Sequence, residues 1–216
     1  DAIGLKLRGH TLIWHRSIPE WAQGVLGPMG GWAAVATHIA AMLRRYGARR
    51  FIHWDVLNEV IEPNDGRGDG FRSSPFLKAF GPDYIPRALT LAREIAPDMH
   101  LYINEYGVDY DGPVERARRA ALLRLVDSLK RKKIPLDGVG IQGHLRLDGP
   151  PFSGTALHGF LRDLASHGVR ITITELDVRE NDLKVPLNIR DTRVANEVRR
   201  YLDVVLQEPA VEGVVS

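Results

Sequence analysis

The sequence predicts an α/β protein built around a parallel β-sheet. Short runs of β-branched and apolar residues alternate with longer segments of helical periodicity, and glycines flank several of the runs. Strands that are apolar along their whole length are typical of parallel sheets with helical connections. Of the 216 residues, 44% are hydrophobic and 26% are charged, which provides enough apolar surface for the core of one domain.

The predicted strands define the sheet. Each is rich in valine, isoleucine, leucine or aromatic residues, which fit the pleated surface of a sheet. Six strands are predicted, at Gly4–Trp14, Phe51–Leu57, Leu101–Asn104, Val139–Gln142, Ile171–Thr174 and Val211–Val215. A loop rich in glycine, aspartate and arginine is predicted at Glu62–Arg72, after the second strand.

Helical signals fill the segments between the strands. In Trp32–Tyr46 one face is shared by Val35, Ile39, Met42 and Leu43, and Gly47 is placed to end the helix. The other predicted helices are Asp83–Ile95, between two prolines, Val114–Lys132, with a basic outer face, Ala156–Ser166 and Thr192–Leu206.

Polar residues cluster directly after the carboxyl ends of the predicted strands. A (β/α)₈ barrel builds its active site from those ends, and no glycine-rich nucleotide loop follows the first strand. The sequence therefore favours a (β/α)₈ TIM barrel, with a doubly wound open sheet as the alternative. About six of the eight strands of such a barrel are present in this sequence. No internal linker or repeat divides residues 1–216, so a single domain is expected.

Two glutamates occupy comparable positions at strand ends. Glu59 follows Trp54–Asn58, and Glu175 follows Ile171–Thr174. In a barrel both carboxylates would project toward the mouth. Two facing carboxyl groups are the minimum equipment for glycoside hydrolysis, because one protonates the leaving oxygen and the other attacks the sugar or activates water.

Five segments together resemble glycoside hydrolase family 10, the endo-β-1,4-xylanases, in the family's own order. They are similar to its third strand, acid/base strand, fifth strand, sixth strand and nucleophile strand, and are Arg8–His15 (RGHTLIWH), Trp54–Glu59 (WDVLNE), Leu101–Tyr106 (LYINEY), Gly138–Leu145 (GVGIQGHL) and Ile173–Asp177 (ITELD). The resemblance extends over essentially the whole chain.

The resemblance implies roles for the residues that react. Glu59 would be the general acid/base and Glu175 the nucleophile of a retaining mechanism. Asn58 would hydrogen-bond the sugar 2-hydroxyl, a contact that strengthens in the transition state. Tyr106 would be an aromatic contact for the leaving-group sugar.

The same resemblance implies roles for the surrounding residues. His10 and Trp14 would shape the subsite that holds the reacting sugar. Gln142 and His144 would hold Glu175 and the sugar in place. Asp177 would fix the orientation and the charge of His144.

The sequence also departs from the family pattern. Glu105 stands where the family usually has aspartate, and Gly107 where it has asparagine, so contacts to the leaving-side sugar are expected to differ. The resemblance places the chain from the third strand to the start of the eighth. We therefore expect residues 1–216 to be one family 10 catalytic domain that is truncated at both ends.

Other kinds of site are disfavoured. The pattern Gly138–Gly143 fits a dinucleotide fingerprint but lacks a following helix. The loop Asp65–Gly70 has Arg67 where a calcium site needs an oxygen ligand. His10 and His15 would face opposite sides of a strand, which argues against shared metal ligation. No cofactor and no metal are expected.

The composition disfavours several classes of partner and of chemistry. A net charge of +2 does not indicate a nucleic-acid partner, and no apolar run is long enough to span a membrane. The absence of cysteine excludes thiol catalysis. No signal peptide is recognised at the start of the sequence, and a secreted or periplasmic location is expected only from the family resemblance. The oligomeric state stays open.

The leading hypothesis is a retaining endo-β-1,4-xylanase acting on xylan or xylo-oligosaccharides. Another retaining β-glycanase, acting on mixed-linkage glucan or aryl glycosides, is the alternative within the enzyme class. A non-catalytic xylan-binding barrel remnant is the alternative from a different class. The presence of both glutamates favours an enzyme, since a protein that only binds xylan has no need for the pair.

Overall fold

The main sheet has six parallel strands. The computed structural model describes residues 6–27 and 31–216. The strands of the chain are β1 (Leu7–Trp14), β2 (Phe51–Asn58), β3 (His100–Glu105), β4 (Gly138–Ile141), β5 (His144–Arg146), β6 (Arg170–Ile173), β7 (Asp177–Arg179) and β8 (Val211–Val214). The main sheet has the order β1-β2-β3-β4-β6-β8, and β5 and β7 form a separate parallel pair.

All six predicted strands are therefore confirmed, with ends that differ by a few residues. The first two residues of the predicted Gly4–Trp14 strand lie outside the described residues. The pair β5–β7 was not predicted, because each of its strands has only three residues and two of the three are polar or charged.

Helices connect successive strands of the main sheet. They are α1 (Glu20–Gln23), α2 (Gly31–Arg50), α3 (Pro75–Phe80), α4 (Tyr84–Ile95), α5 (Pro113–Arg131), α6 (Gly154–Ser166) and α7 (Leu187–Val205). Gly47 interrupts α2 with a φ of 40°, which confirms it as a helix breaker. The short helices α1 and α3 were not predicted, and α7 begins five residues before the predicted start. The predicted loop after β2 contains one 3₁₀ turn, Pro63–Asp65.

The core lies on both faces of the main sheet. Ile39 of α2, Leu89 of α4, Leu122 of α5 and Leu161 of α6 are fully buried where the helices cover one face. On the other face the ring centroids of His53 and Tyr102 lie 4.4 Å apart. Trp54 lies over Gly9 of the paired strand on the helix-covered face, with its ring centroid 6.3 Å from that of Tyr46 in α2. A Cβ atom at Gly9 would lie 2.1 Å from the Trp54 ring, so only glycine fits there.

The basic outer face expected for α5 is confirmed by Arg116, Arg124 and Arg131, which are exposed. Two other arginines of the helix, Arg118 and Arg119, are buried instead. Arg119 donates hydrogen bonds to the carbonyls of Val108 and Tyr110, and Arg118 pairs with Glu62. Buried guanidinium groups need such partners, and the sequence did not indicate them.

No helix in the described part of the chain combines the length and apolar character that a membrane span needs.

The two ends of the main sheet generate a prediction. Strands β1 and β8 each pair with one neighbour among the described residues, and Leu7 and Val214 are 39% and 37% exposed. Unpaired strand edges promote association with other chains. We expect an isolated polypeptide of residues 1–216 to self-associate, as measured by size-exclusion chromatography with light scattering.

Edge charges provide the control. Leu7→Lys combined with Val214→Lys should reduce the association, whereas Leu183→Lys, at a site that is 79% exposed and outside the sheet, should not. A monodisperse monomer of residues 1–216 would contradict the expectation.

Candidate active site

The predicted site residues meet in one cleft at the carboxyl end of the sheet. Glu59 follows β2 directly and Glu175 lies two residues beyond β6. The cleft has a volume of about 320 Å³ and is lined by His10, Trp14, Arg16, Asn58, Glu59, Tyr106, Gln142, His144 and Glu175. Eight of the nine predicted site residues line it, and the ninth, Asp177, contacts His144. Arg16 was not predicted.

Glu175 is held in its ionised form by two donors. The Asn104 side-chain amide donates a hydrogen bond of 2.8 Å to Oε1, and Nε2 of His144 lies 3.3 Å from Oε2. Partial burial raises the pKa of Glu175, but the bonds from His144 and Asn104 outweigh it and leave the pKa below its usual value. An ionised carboxylate is the form that can act as a nucleophile.

His144 lies between two carboxylates. The hydrogen bond to Glu175 is the largest cause that raises the pKa of His144, to about 9, and Asp177 adds to it through a bond of 2.9 Å at Nδ1. The unpredicted pair β5–β7 creates this contact, because His144 and Asp177 are register partners in it. The imidazole is therefore cationic at neutral pH.

Glu59 has a strained backbone and different neighbours. Its φ is +56°, a region that residues with a Cβ rarely adopt. Its N–H donates to the carbonyl of Asn104 at 2.9 Å, and its carboxylate accepts from Gln142 Nε2 at 3.4 Å. Gln142 was expected to hold Glu175. Its main-chain carbonyl accepts a hydrogen bond of 2.9 Å from the N–H of Glu175, whereas its side chain points toward β2 and contacts Glu59.

A chain of amide side chains joins the two glutamates. Nδ2 of Asn104 lies 2.9 Å from Oδ1 of Asn58, and Nε2 of Gln142 lies 3.4 Å from the same oxygen. Asn104 is fully buried and also accepts a bond of 2.7 Å from the Thr174 hydroxyl. A Cβ at Gly140, the partner of Asn104 on β4, would lie 2.2 Å from the Asn104 side-chain oxygen. Asn104 was not singled out from the sequence, although it lies in a quoted motif.

His10 and Trp14 form the β1 side of the cleft. Nδ1 of His10 lies 2.8 Å from a carboxylate oxygen of Asp55, which is fully buried and also binds Arg8. The ring centroids of His10 and Trp14 are 6.1 Å apart in an edge-on arrangement. Asp55 therefore orients His10, a function that the sequence did not reveal.

Tyr106 is held by a network of charged side chains. Its hydroxyl donates to Glu62 at 2.7 Å and accepts from Arg72 at 2.9 Å. The Arg118 guanidinium carbon lies 4.3 Å from the ring centroid. The ring lines the cleft, and the sequence did not indicate the charged side chains that surround it.

Glu105 points away from the cleft. Its side chain is fully buried, and one oxygen accepts a hydrogen bond of 3.0 Å from the backbone N–H of Ile61. Burial raises its pKa to about 8. Glu105 therefore does not contact the leaving-side sugar directly, and any effect on that sugar would pass through neighbouring residues.

Within residues 6–27 and 31–216, no group of three or more histidine and acidic side chains is arranged to hold a metal ion.

Two carboxylates at the ends of parallel strands, with amide and imidazole groups between them, define the kind of site found in barrel glycoside hydrolases. A family model described as "Glycosyl hydrolase family 10" matches residues 1–216. The chain belongs to this family, and its main sheet is six strands of a (β/α)₈ barrel.

Several relatives support the assignment. The chain is 34% identical over 212 residues to endo-1,4-beta-xylanase A of Thermoanaerobacterium saccharolyticum, covering 93% of this chain and 17% of that protein. It is 36% identical over 214 residues to endo-1,4-beta-xylanase A of Phanerodontia chrysosporium, covering 99% and 48%. Native xylanase 10B from Thermotoga maritima superposes with a TM-score of 0.86 at 28% identity, covering 97% of this chain and 61% of that one. The chain thus spans less than half the length of these two curated relatives.

The charge on His144 is testable. Glu175→Gln and Asp177→Asn should each lower the pKa of His144 from about 9, because each removes a negative charge that stabilises the imidazolium. The decrease should be larger for Glu175→Gln. Titration of the imidazole signals by NMR measures the change. Asp148→Asn, an exposed position in the neighbouring loop, is the matched control, and an unchanged His144 in both variants would contradict this electrostatic picture.

Proposed function

We propose that the protein hydrolyses internal β-1,4-xylosidic linkages of xylan with retention of configuration. Glu59 serves as the acid/base and Glu175 as the nucleophile. The observation that carries the proposal is that the two carboxylates have different hydrogen-bond donors at different distances. Glu175 accepts hydrogen bonds from a cationic imidazole and a buried amide, whereas the side-chain amide that contacts Glu59 lies at the longer distance of 3.4 Å.

In the first step Glu175 attacks the anomeric carbon of the sugar. Glu59 donates its proton to the glycosidic oxygen, the carbon–oxygen bond breaks, and the aglycone leaves as an alcohol. A glycosyl ester on Glu175 remains. Asn58, between Trp14 and Asn104 in strand register, is placed to bind the 2-hydroxyl as charge develops on the ring.

In the second step Glu59, now ionised, takes a proton from water. The water oxygen bonds to the anomeric carbon and the ester to Glu175 breaks, which restores both groups. The negative charge of Glu175 is absent while the ester exists, so no second carboxylate repels Glu59 while it acts as the base. His144, held by Asp177, keeps a positive charge beside the carboxylate that is released.

Xylan and xylo-oligosaccharides are the proposed substrates. Xylanase 10B from Thermotoga petrophila was solved in complex with xylobiose and is 28% identical to this chain. A xylanase of Thermoanaerobacterium saccharolyticum, 30% identical, was solved with xylotetraose. The cleft residues of this chain offer the hydrogen-bonding and aromatic groups that sugar rings require.

We place the protein in the secreted or periplasmic space, where polymeric xylan is accessible. Membership of glycoside hydrolase family 10 and the proposed polymeric substrate support this placement. One relative with 30% identity is described as an intracellular xylanase. Fractionation of the native host followed by detection of the protein would decide between the two locations.

The reaction roles predict distinct mutant behaviour. In the full-length protein encoded by the gene, Glu59→Ala should lower kcat/KM for xylan by about 10²–10⁴-fold, the usual contribution of general acid catalysis. Activity on a 2,4-dinitrophenyl β-xylobioside should be retained, because that leaving group needs no proton. Added azide should accelerate turnover and yield a β-glycosyl azide, identified by NMR.

Glu175→Ala should lose both reactions, and Glu94→Ala, an exposed glutamate of α4, is the matched control with unchanged activity. An α-glycosyl azide from Glu59→Ala, or inhibition of the wild type by a chelator, would be inconsistent with these roles.

A second substrate class is favoured by one relative. "Exoglucanase XynX" of Acetivibrio thermocellus is 33% identical to this chain over 212 residues. If the xylanase proposal holds, kcat/KM on xylohexaose should exceed that on cellohexaose of the same length. The reverse order would assign the protein to the β-glucanases, and no turnover of either by the full-length protein would favour the non-catalytic alternative.

A further inference from the structure

Arg72 contacts the proposed acid/base from outside the cleft. Its Nε donates a hydrogen bond of 2.7 Å to the main-chain carbonyl of Glu59, and its Nη2 lies 3.8 Å from a carboxylate oxygen of the same residue. Arg72 is not among the residues that line the cleft. Arg72 therefore contacts Glu59 but is not positioned to contact a sugar bound in the cleft.

Glu59 needs support because of its backbone conformation. A φ of +56° is unfavourable for a side chain with a Cβ and persists only when the surroundings hold it. The N–H of Glu59 is bound by the Asn104 carbonyl at 2.9 Å. The bond from Arg72 to the Glu59 carbonyl holds the opposite side of the residue. Together the two bonds determine where the carboxyl group points.

Arg72 is itself fixed in a single orientation. Its backbone N–H donates to the Val60 carbonyl at 2.8 Å, and its Nη2 contacts the Tyr106 hydroxyl at 2.9 Å and Glu62 at 3.4 Å. Glu62 is in turn bound by the buried Arg118 at 3.0 and 3.1 Å. This network gives a long, flexible side chain the precision that a catalytic site requires.

The network also brings charges of both signs close to Glu59. Glu62 lies between Arg72 and Arg118 and offsets part of their charge. The other titratable groups around this region are His15, Arg16, Glu105, Tyr106, His144 and Glu175.

We propose that Arg72 is a positioning residue for proton transfer by Glu59, held in place by Glu62 and Tyr106. The proposal rests on the acid/base role given to Glu59 above. Arg72 should affect only those steps of the reaction in which Glu59 gives or takes a proton. That selectivity separates it from a residue that merely stabilises the fold.

The test compares substrates that do and do not need a proton. In the full-length protein, Arg72→Met should lower kcat/KM for xylohexaose on the order of 10²-fold, the effect of a misplaced catalytic group. For 2,4-dinitrophenyl β-xylobioside, kcat/KM should stay near the wild-type value. The kcat for that substrate should fall, because removal of the sugar from Glu175 needs the base, and azide should restore it.

Two further variants sharpen the result. Arg72→Lys keeps the positive charge but not the fork that binds the Glu59 carbonyl and Tyr106 together, so it should show the same selectivity to a smaller degree. Glu62→Gln weakens the acceptor that holds Arg72 and Tyr106, so it should show the same selectivity between the two substrates as Arg72→Lys. If Arg72→Met does not fold, as judged by circular dichroism, Arg72→Lys carries the comparison.

Arg93→Met is the matched control. Arg93 also donates to main-chain carbonyls, those of Pro97 and Met99 at 2.6 and 2.9 Å, but it lies at the amino end of β3, away from the cleft. It should leave both kcat/KM values unchanged.

Equal losses on both substrates in Arg72→Met, without rescue by azide, would overturn the inference. If Glu59→Ala still discriminates between the substrates in that case, the proposed function stands and only the role of Arg72 fails. If Glu59→Ala does not discriminate either, the acid/base assignment fails first.

Discussion

The cleft depends on the buried side chain of Asn104. Its amide nitrogen donates hydrogen bonds to Glu175 and Asn58, and its amide oxygen accepts one from the Thr174 hydroxyl. The main-chain carbonyl of the same residue accepts a hydrogen bond from the N–H of Glu59. Water cannot reach a fully buried amide, so each of its polar atoms needs a hydrogen-bond partner within the protein. One residue in the middle strand of the site thus sets the positions of both carboxylates, and a glycine on the adjacent strand leaves the room for it.

Around this centre the two glutamates have unlike surroundings. On the side of Glu175 the donors are an imidazolium and an amide, and the imidazolium is backed by Asp177. On the side of Glu59 they are an amide and a guanidinium whose charge Glu62 offsets. Environments that treat two neighbouring carboxyl groups differently are how a single cleft provides both a nucleophile and a proton donor.

The sequence predicted the strands and the positions of both glutamates because apolar runs end where the carboxylates begin. It did not predict β5 and β7, since three-residue strands with polar ends have no recognisable period. It also missed Arg72 and Arg118, because charged residues in a loop or on a helix are usually solvated. The direction of Gln142 depends on the packing of its neighbours, and a strand-end position alone does not specify it.

Glu105 has a consequence for the whole molecule beyond the cleft. With a pKa near 8 in the folded state, and an ordinary value when unfolded, this carboxyl group is protonated only in the native protein at pH 7. His144, with a pKa of about 9, behaves in the same direction. Folding near neutrality is therefore coupled to proton uptake at both residues. The contribution of Glu105 to stability declines as pH rises from about 4.5 to about 8, and that of His144 declines from about 6.5 to about 9. A buried acid that touches no sugar thus ties the persistence of the fold to the acidity of its surroundings.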